Sequence, residues 1–356
     1  MTEQTTEPSH LSPWWRHATI LVMIAGFSVL TLVTVLTYTN APPIPARITD
    51  AAGATLVDEA AILHGQEVFL KYGLMEHGSL WGHGAYLGPD YSAEYLHRLA
   101  EICGDAAPDL KTNRYDATND ALVYTPCEAS SLEIQGREWE QYFRGETPAP
   151  GLGPMYIKDP DEVKDLNAYF AWAAWATVAN RPGKNYSYTN NWPFEPLVGN
   201  RPTSSTYLWS ATSLITLLSG IGAILFLFGK FDYLGWGGAK SAAHFHDSAL
   251  SGWKLTPSQW ATGKFFGVVA ALFLLQSLAG GALAHYRVEP GAFYGLDLAS
   301  YLPYNLLRTW HLQLVIFWVA TAWVAGGLFL APLVGREEPK GQRMGANILF
   351  GALVFV

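Results

Sequence analysis

The 356-residue chain is half hydrophobic and only 15 % charged, carries 14 Trp, 18 Tyr and 17 Phe, and has a net charge of −8. That is too apolar and aromatic for an ordinary soluble domain, and Trp and Tyr in excess suit membrane–water interfaces. No Lys/Arg-rich block points to nucleic acid. CxxC, CxxCH, HExxH, Walker A and GxSxG motifs are all missing, which removes thiolate zinc, covalent haem c and the usual soluble-enzyme chemistries.

Residues 1–17 form a polar tail ending in PWWRH, and Ala18 to Thr37 is an uncharged run long enough to span a bilayer. A secretory signal peptide has a shorter apolar region, usually about 7–15 residues. The NAPPIPAR that follows is a poor cleavage site, so the run reads as an uncleaved anchor. From 38 to 205 charges, prolines and turn residues appear, and the segment reads as a water-soluble domain lying wholly on one side of the membrane. Its helical patterns include Asp58 to Gly73 and Asp159 to Ala176. The second has Asp159 as N-cap and an apolar stripe through Val163, Leu166, Tyr169 and Phe170. Arg181 to Pro202, rich in Asn, Pro and aromatics, reads as a connector along the membrane surface.

Three further spans follow at 207–229, 265–284 and 305–335, and a fifth begins at 345–356. Gly280-Gly281 in the third allows close helix packing. The expected fold is therefore mainly α: a polytopic membrane helix bundle with an inserted helical domain. Loops 230–264 and 336–343 hold seven Lys/Arg between them, whereas 285–304 holds only Arg287. The positive-inside rule then puts the N-terminus in the cytoplasm and the soluble domain outside, in the periplasm of a Gram-negative inner membrane. In that compartment a Cys103–Cys127 disulfide is chemically reasonable; two free buried thiols are the alternative.

The helix from Asn305 carries Arg308 and His311, three apart and so on one face. An ionisable residue in an apolar run is costly and by default a functional candidate, although an interfacial histidine bonded to a neighbouring helix would satisfy the same pattern.

Several stretches together resemble one family, the quinol-dependent, single-chain nitric oxide reductases of the haem-copper oxidase superfamily. They are HGQEVFLKYGLMEHGSLWGHGAYLGPDYSAEYLHR (His64 to Arg98), YTNNWPFEPLVGNRPTSSTYLWS (Tyr188 to Ser210), LTPSQWATGKFF (Leu255 to Phe266), AHYRVEPGAFYG (Ala284 to Gly295) and LLRTWHLQLVIFW (Leu306 to Trp318). The resemblance runs in order from His64 onward.

The resemblance implies that the anchor and outer domain correspond to a cytochrome c subunit that has lost its haem. Met155 stands where the methionine ligand would be, but without the CxxCH thiols it has no iron to serve. The implied donor is then a membrane quinol and not a soluble cytochrome c. His311 matches the axial ligand of a low-spin haem b, and Arg308 is placed to meet a haem propionate, although snorkelling to the interface would explain it equally. Gly84 and Tyr86 match positions near a bridging calcium ion, although a tight turn explains Gly82 and Gly84 as well. His285 and Glu289, at the outer mouth of the third span, are candidates to take up quinol protons. His77 and His83 read as packing or surface residues, and His244 and His246 as inner-loop residues unsuited to metal binding.

The implied activity is reduction of two nitric oxide molecules to nitrous oxide and water, at a high-spin haem b beside a non-haem iron. The ligands of that centre are expected on helices beyond Val356, so the sequence reads as a fragment, inactive by itself, of a longer enzyme. Two alternatives stay open at this point. One is an oxygen-reducing oxidase subunit of the same superfamily; the other is a membrane receptor with an outer sensor domain.

Overall fold

Three helices open on the same local chemistry, a capping oxygen followed by proline at the first helical position. Thr125 caps α4 (Pro126–Arg144), Asp159 caps α5 (Pro160–Val178), and Thr256 caps a long apolar helix from Pro257. The proline lacks only an N–H that has no helical partner there anyway, and the cap oxygen satisfies another. Thr125 with Glu128, and Thr256 with Gln259, complete reciprocal capping boxes. The computed structural model describes residues 13–231, 253–335 and 337–355.

Residues up to Ile44 form one unit and those from Pro45 onward another. The first is essentially α1 (Pro13–Thr39), which starts earlier than the expected anchor. Residues 1–12 of the expected tail lie outside the described residues.

In the second unit, β1 (Arg47–Thr49), β2 (Thr55–Asp58), β5 (Tyr115–Asp116) and β6 (Ala121–Val123) form a small sheet ordered β2-β1-β6-β5, with only the β1–β6 pair parallel. A two-stranded ribbon, β3 (Ser79–Leu80) and β4 (His83–Gly84), lies between α2 (Glu59–Lys71) and α3 (Tyr91–Cys103) in the chain. Helix α5 is the core element: every residue from Leu166 to Val178 is buried, with alanines interleaved among Tyr169, Phe170, Trp172 and Trp175. A glycine on the neighbouring α2 lets that helix approach it closely. A Cβ at Gly65 of α2 would lie 2.1 Å from the Asp165 carbonyl oxygen. Around Phe170 the interior is filled by aromatic rings. Tyr91 stacks on it at 4.8 Å and Trp139 meets it edge-on at 5.2 Å, both fully buried. Cys103 and Cys127 are bonded, tying the end of α3 to the start of α4.

The apolar helices are α6 (Ser204–Phe231), α7 (Pro257–His285), α8 (Tyr304–Gly335) and the shorter α9 (Gln342–Phe355). Among the described residues α1, α6, α7 and α8 are long and apolar enough to cross a membrane. Helix α7 begins eight residues before the expected span, because the Thr256 capping box nucleates it and the polar first turns find partners. Ser258 N–H donates to Glu338 at 3.0 Å and Gln259 to the Phe329 carbonyl at 2.9 Å. Helices α7 and α8 pack antiparallel, with Phe273 against Trp318 and Phe266 against Phe329. The domain built from α2 to α5 sits against the start of α8 and the hairpin that joins it to α7.

Candidate functional site

His311, on the second turn of α8, reaches across to α7. Its Nδ1–H donates to the main-chain carbonyl of Gln276 at 2.9 Å, and the Gln276 side-chain nitrogen lies 3.2 Å from Nε2. The carbonyl contact requires the proton on Nδ1, whereas the Gln276 side-chain nitrogen, 3.3 Å from Nδ1 as well, does not distinguish the two ring nitrogens. A carbonyl on the distal nitrogen is the usual way a ligating imidazole is oriented and its basicity raised. Directly below the ring is Gly280, where a Cβ would lie 2.8 Å from Cε1. The ring therefore fits only because that helix position has no side chain.

Arg308, one turn before His311, finds an anion within the protein. Its guanidinium pairs with Glu76, in the single 3-10 turn Leu74–Glu76 that follows α2. Two opposite, partly buried charges brought together by docking of the domain satisfy each other more directly than bulk water could. Asn305, at the start of the same helix and 3 % exposed, donates through Nδ2 to the Tyr72 carbonyl and to the Tyr156 hydroxyl.

His285 and Glu289 are brought together where α7 ends, with Nε2 2.8 Å from the carboxylate. The main-chain N–H groups of Tyr294 and Gly295 donate to the same carboxylate at 2.8 and 2.9 Å. The His285 contact, then these amides, hold the Glu289 carboxyl below its usual range and keep it anionic. The His285 ring lies 4.7 Å from both Phe293 and Tyr294. Phe293 in turn lines an apolar groove of about 560 Å³ between α7 and α8, with Leu278, Ala282, Leu307 and Trp310.

The remaining sequence candidates are placed less tightly. The Tyr86 hydroxyl donates to the Gly82 carbonyl at 2.8 Å, and Gly84 at φ 140° sits where a Cβ would meet the Gly78 carbonyl. No group of three or more His, Cys, Asp or Glu able to hold a metal occurs among the described residues. His83 is exposed, and His77 is fully buried with both ring nitrogens bonded. Met155 is 44 % exposed. His244 and His246 lie outside the described residues.

The domain between α1 and α6 matches the family model of the NorB cytochrome c-like domain of nitric oxide reductase, over residues 45–109 and 102–194. Residues 261–356, from within α7 onward, match cytochrome C and quinol oxidase polypeptide I. The chain is a NorB-like protein of the haem-copper oxidase superfamily. No curated protein matches it. The family implies haem, and the Gln276 carbonyl on Nδ1 leaves Nε2 as the His311 nitrogen that could serve as a ligand atom.

Sequence reasoning passed over Gln276, Asn305 and Glu76 as site residues and read Gly280 only as a helix-packing glycine. Gln276 and Gly280 carried a signal, a polar group and a small residue inside an apolar span. Asn305 and Glu76 carried none that can be read locally, because their partners are far away in the chain.

Proposed function

We propose that this chain supplies the quinol-oxidising side and the first haem ligand of a membrane quinol:nitric oxide oxidoreductase. Two nitric oxide molecules, two electrons and two protons give nitrous oxide and water. One quinol, oxidised to quinone, releases two electrons and two protons. The observation that carries the reading is the His285–Glu289 pair, whose imidazole lies against Phe293, a lining residue of an apolar groove whose wall includes Trp310, the residue before His311. An apolar groove suits a quinol ring and tail, and a part-buried imidazole–carboxylate pair suits proton uptake.

In this reading His285 accepts the quinol proton, and the anionic Glu289 orients the imidazole and stabilises its charge. His311 would hold the low-spin haem b through Nε2, with the Gln276 carbonyl keeping the proton on Nδ1, and that group would supply one-electron transfer. Arg308, paired with Glu76, would also meet the propionates, and calcium at the Gly84–Tyr86 loop belongs to the same reading by resemblance alone. A high-spin haem b and a non-haem iron would complete the enzyme. The domain has no CxxCH motif to attach a covalent haem, and in this reading the donor is the membrane quinol in place of a soluble cytochrome c. The setting is the bacterial inner membrane, with this domain in the periplasm.

The test is a reduced-minus-oxidised spectrum of the protein in membranes, with quinol as donor and nitric oxide followed by electrode. A haem b signal reduced by quinol, lost in His311→Ala, with nitric oxide consumed, supports the reading. Oxygen consumption in place of nitric oxide consumption moves the chain to the oxidase branch, and a wild-type protein with no haem signal defeats the assignment of His311.

A further inference from the structure

The cytochrome c-like domain has no haem-attachment motif, and aromatic rings fill its interior. Its contacts with the membrane helices are nevertheless specific, and they converge on the start of the helix that carries His311. We infer that the cytochrome c-like domain acts as a clamp that positions the His311 helix, with Asn305 and Gly151 as its positioning residues. The part concerning haem rests on the function proposed above; the clamp itself does not.

Three connections make the clamp. In the first, the buried Tyr91 hydroxyl donates to His77 Nδ1 at 3.0 Å, and His77 Nε2–H donates to the Pro150 carbonyl at 2.7 Å. The next residue, Gly151, donates its N–H to the Pro290 carbonyl and accepts the Tyr304 N–H at 2.8 Å. The domain core is thus linked to the first residue of α8 through one short loop. Gly151 has φ 77°, and a Cβ there would lie 2.6 Å from Cβ of Tyr304, so only glycine fits this approach.

In the second connection, Asn305 bonds both the Tyr72 carbonyl and the Tyr156 hydroxyl, while Tyr156 itself donates to the Tyr72 carbonyl at 3.0 Å. This knot joins the end of α2, the loop before α5 and the first turn of α8. A buried amide gains most when all of its groups are satisfied; the Asn305 carbonyl oxygen also accepts the Leu306 N–H at 3.0 Å. In the third, Glu76 pairs with Arg308, one turn from His311.

All three act within seven residues of His311 on one continuous helix, about 1.5 Å of rise per residue, so a tilt or register change at Asn305 moves the imidazole. Against α7 that imidazole has little slack, with Gly280 beneath it and the Gln276 carbonyl on Nδ1. A domain with no electron carrier of its own then still has a role, holding the ligand helix against α7.

The test uses the whole protein, wild type and Asn305→Leu, with Tyr156→Phe as the conservative variant. Hydrogen exchange is followed by peptide mass spectrometry, together with the haem midpoint potential and α-band. The expected result for Asn305→Leu is about tenfold or faster exchange over residues 304–311 with a shifted potential, and a smaller change of the same sign for Tyr156→Phe. If Asn305→Leu does not accumulate, Gly151→Ala, whose methyl meets Tyr304, is read in the same way. Unmoved exchange at 304–311 overturns the clamp, and faster exchange with an unmoved potential in haem-loaded variant protein overturns its action on the haem. Faster exchange in the variant, with no haem signal in variant or wild type, leaves the clamp standing and removes only the haem assignment.

Discussion

Gly280 faces the ring of His311 so closely that a Cβ would lie 2.8 Å from Cε1, whereas its neighbour Gly281 opens onto space with nothing within 4 Å. Two adjacent glycines in one helix therefore have opposite reasons to exist. Gly280→Val forces the ring or the helices apart, at a cost of about 1–3 kcal/mol for overpacking. Gly281→Ala meets nothing and gains helix propensity, up to about 1 kcal/mol. The expected outcome is loss of haem per polypeptide in Gly280→Val and an unchanged or slightly more heat-stable Gly281→Ala. Equal haem content in the two variants would contradict the placement of His311.

His77 makes the cytochrome c-like domain acid-sensitive. Burial pushes its pKa down to about 4, against the pull of the Pro150 carbonyl, so it is neutral when folded. The unfolded chain takes up a proton below about 6.5 and the native state does not until near 4, so stability falls as pH drops through that window. The expected loss is on the order of 3 kcal/mol between neutral pH and pH 4. His64 beside Asp165 and His97 beside Glu195 run the other way, with raised pKa values whose contribution is present below about 6.5 and lost as pH rises. Thermal unfolding followed by near-ultraviolet circular dichroism of the aromatic core, from pH 7 to pH 4, measures the first effect. His77→Gln should flatten that part of the profile.

The apolar helices were legible because length and hydropathy alone decide whether a segment can span. The start of α7 was not, because Gln259, Thr262 and Lys264 look like loop residues until their partners are known: the Phe329 carbonyl, the Gln259 carbonyl and Asn347. The sequence TPSQ did carry the signal, as a capping box with proline at the first position. His311 stood out by the cost of an ionisable group in an apolar run, and Gln276 obeys the same logic with less force because it is uncharged. Arg308 read either as a partner for a haem propionate or as snorkelling to the interface, and in the structure its partner is Glu76, 232 residues away. Pairings across such separations leave no local pattern to read.

The Cys103–Cys127 bond closes a loop of 24 residues that contains β5 and β6. In the chain-entropy account, cross-linking a loop of that size stabilises by about 3 kcal/mol, mainly by restricting the unfolded chain. Cys103→Ala with Cys127→Ala should lower the unfolding midpoint of the cytochrome c-like domain while leaving the α7–α8 contacts intact. Thiol titration before and after denaturation, with and without reductant, checks the premise. Free thiols in the untreated native protein would remove the effect altogether.

Glu289 is held anionic by His285 and by the N–H groups of Tyr294 and Gly295, which makes it a poor proton acceptor and a good partner for an imidazolium. The proton of a quinol should therefore go to His285, with Glu289 stabilising the charge that forms there. Glu289→Gln removes the negative charge but keeps the size and a hydrogen-bonding oxygen for the two amides. Quinol oxidation should slow by roughly 100-fold, the scale of losing a positioned acid–base group, with haem content and α-band unchanged. His285→Gln should slow it at least as much, and the double variant no further, because the two residues act as one unit. Additive losses in the double variant would mean that the carboxylate and the imidazole serve separate steps, and an unchanged rate in Glu289→Gln would remove this pair from quinol oxidation.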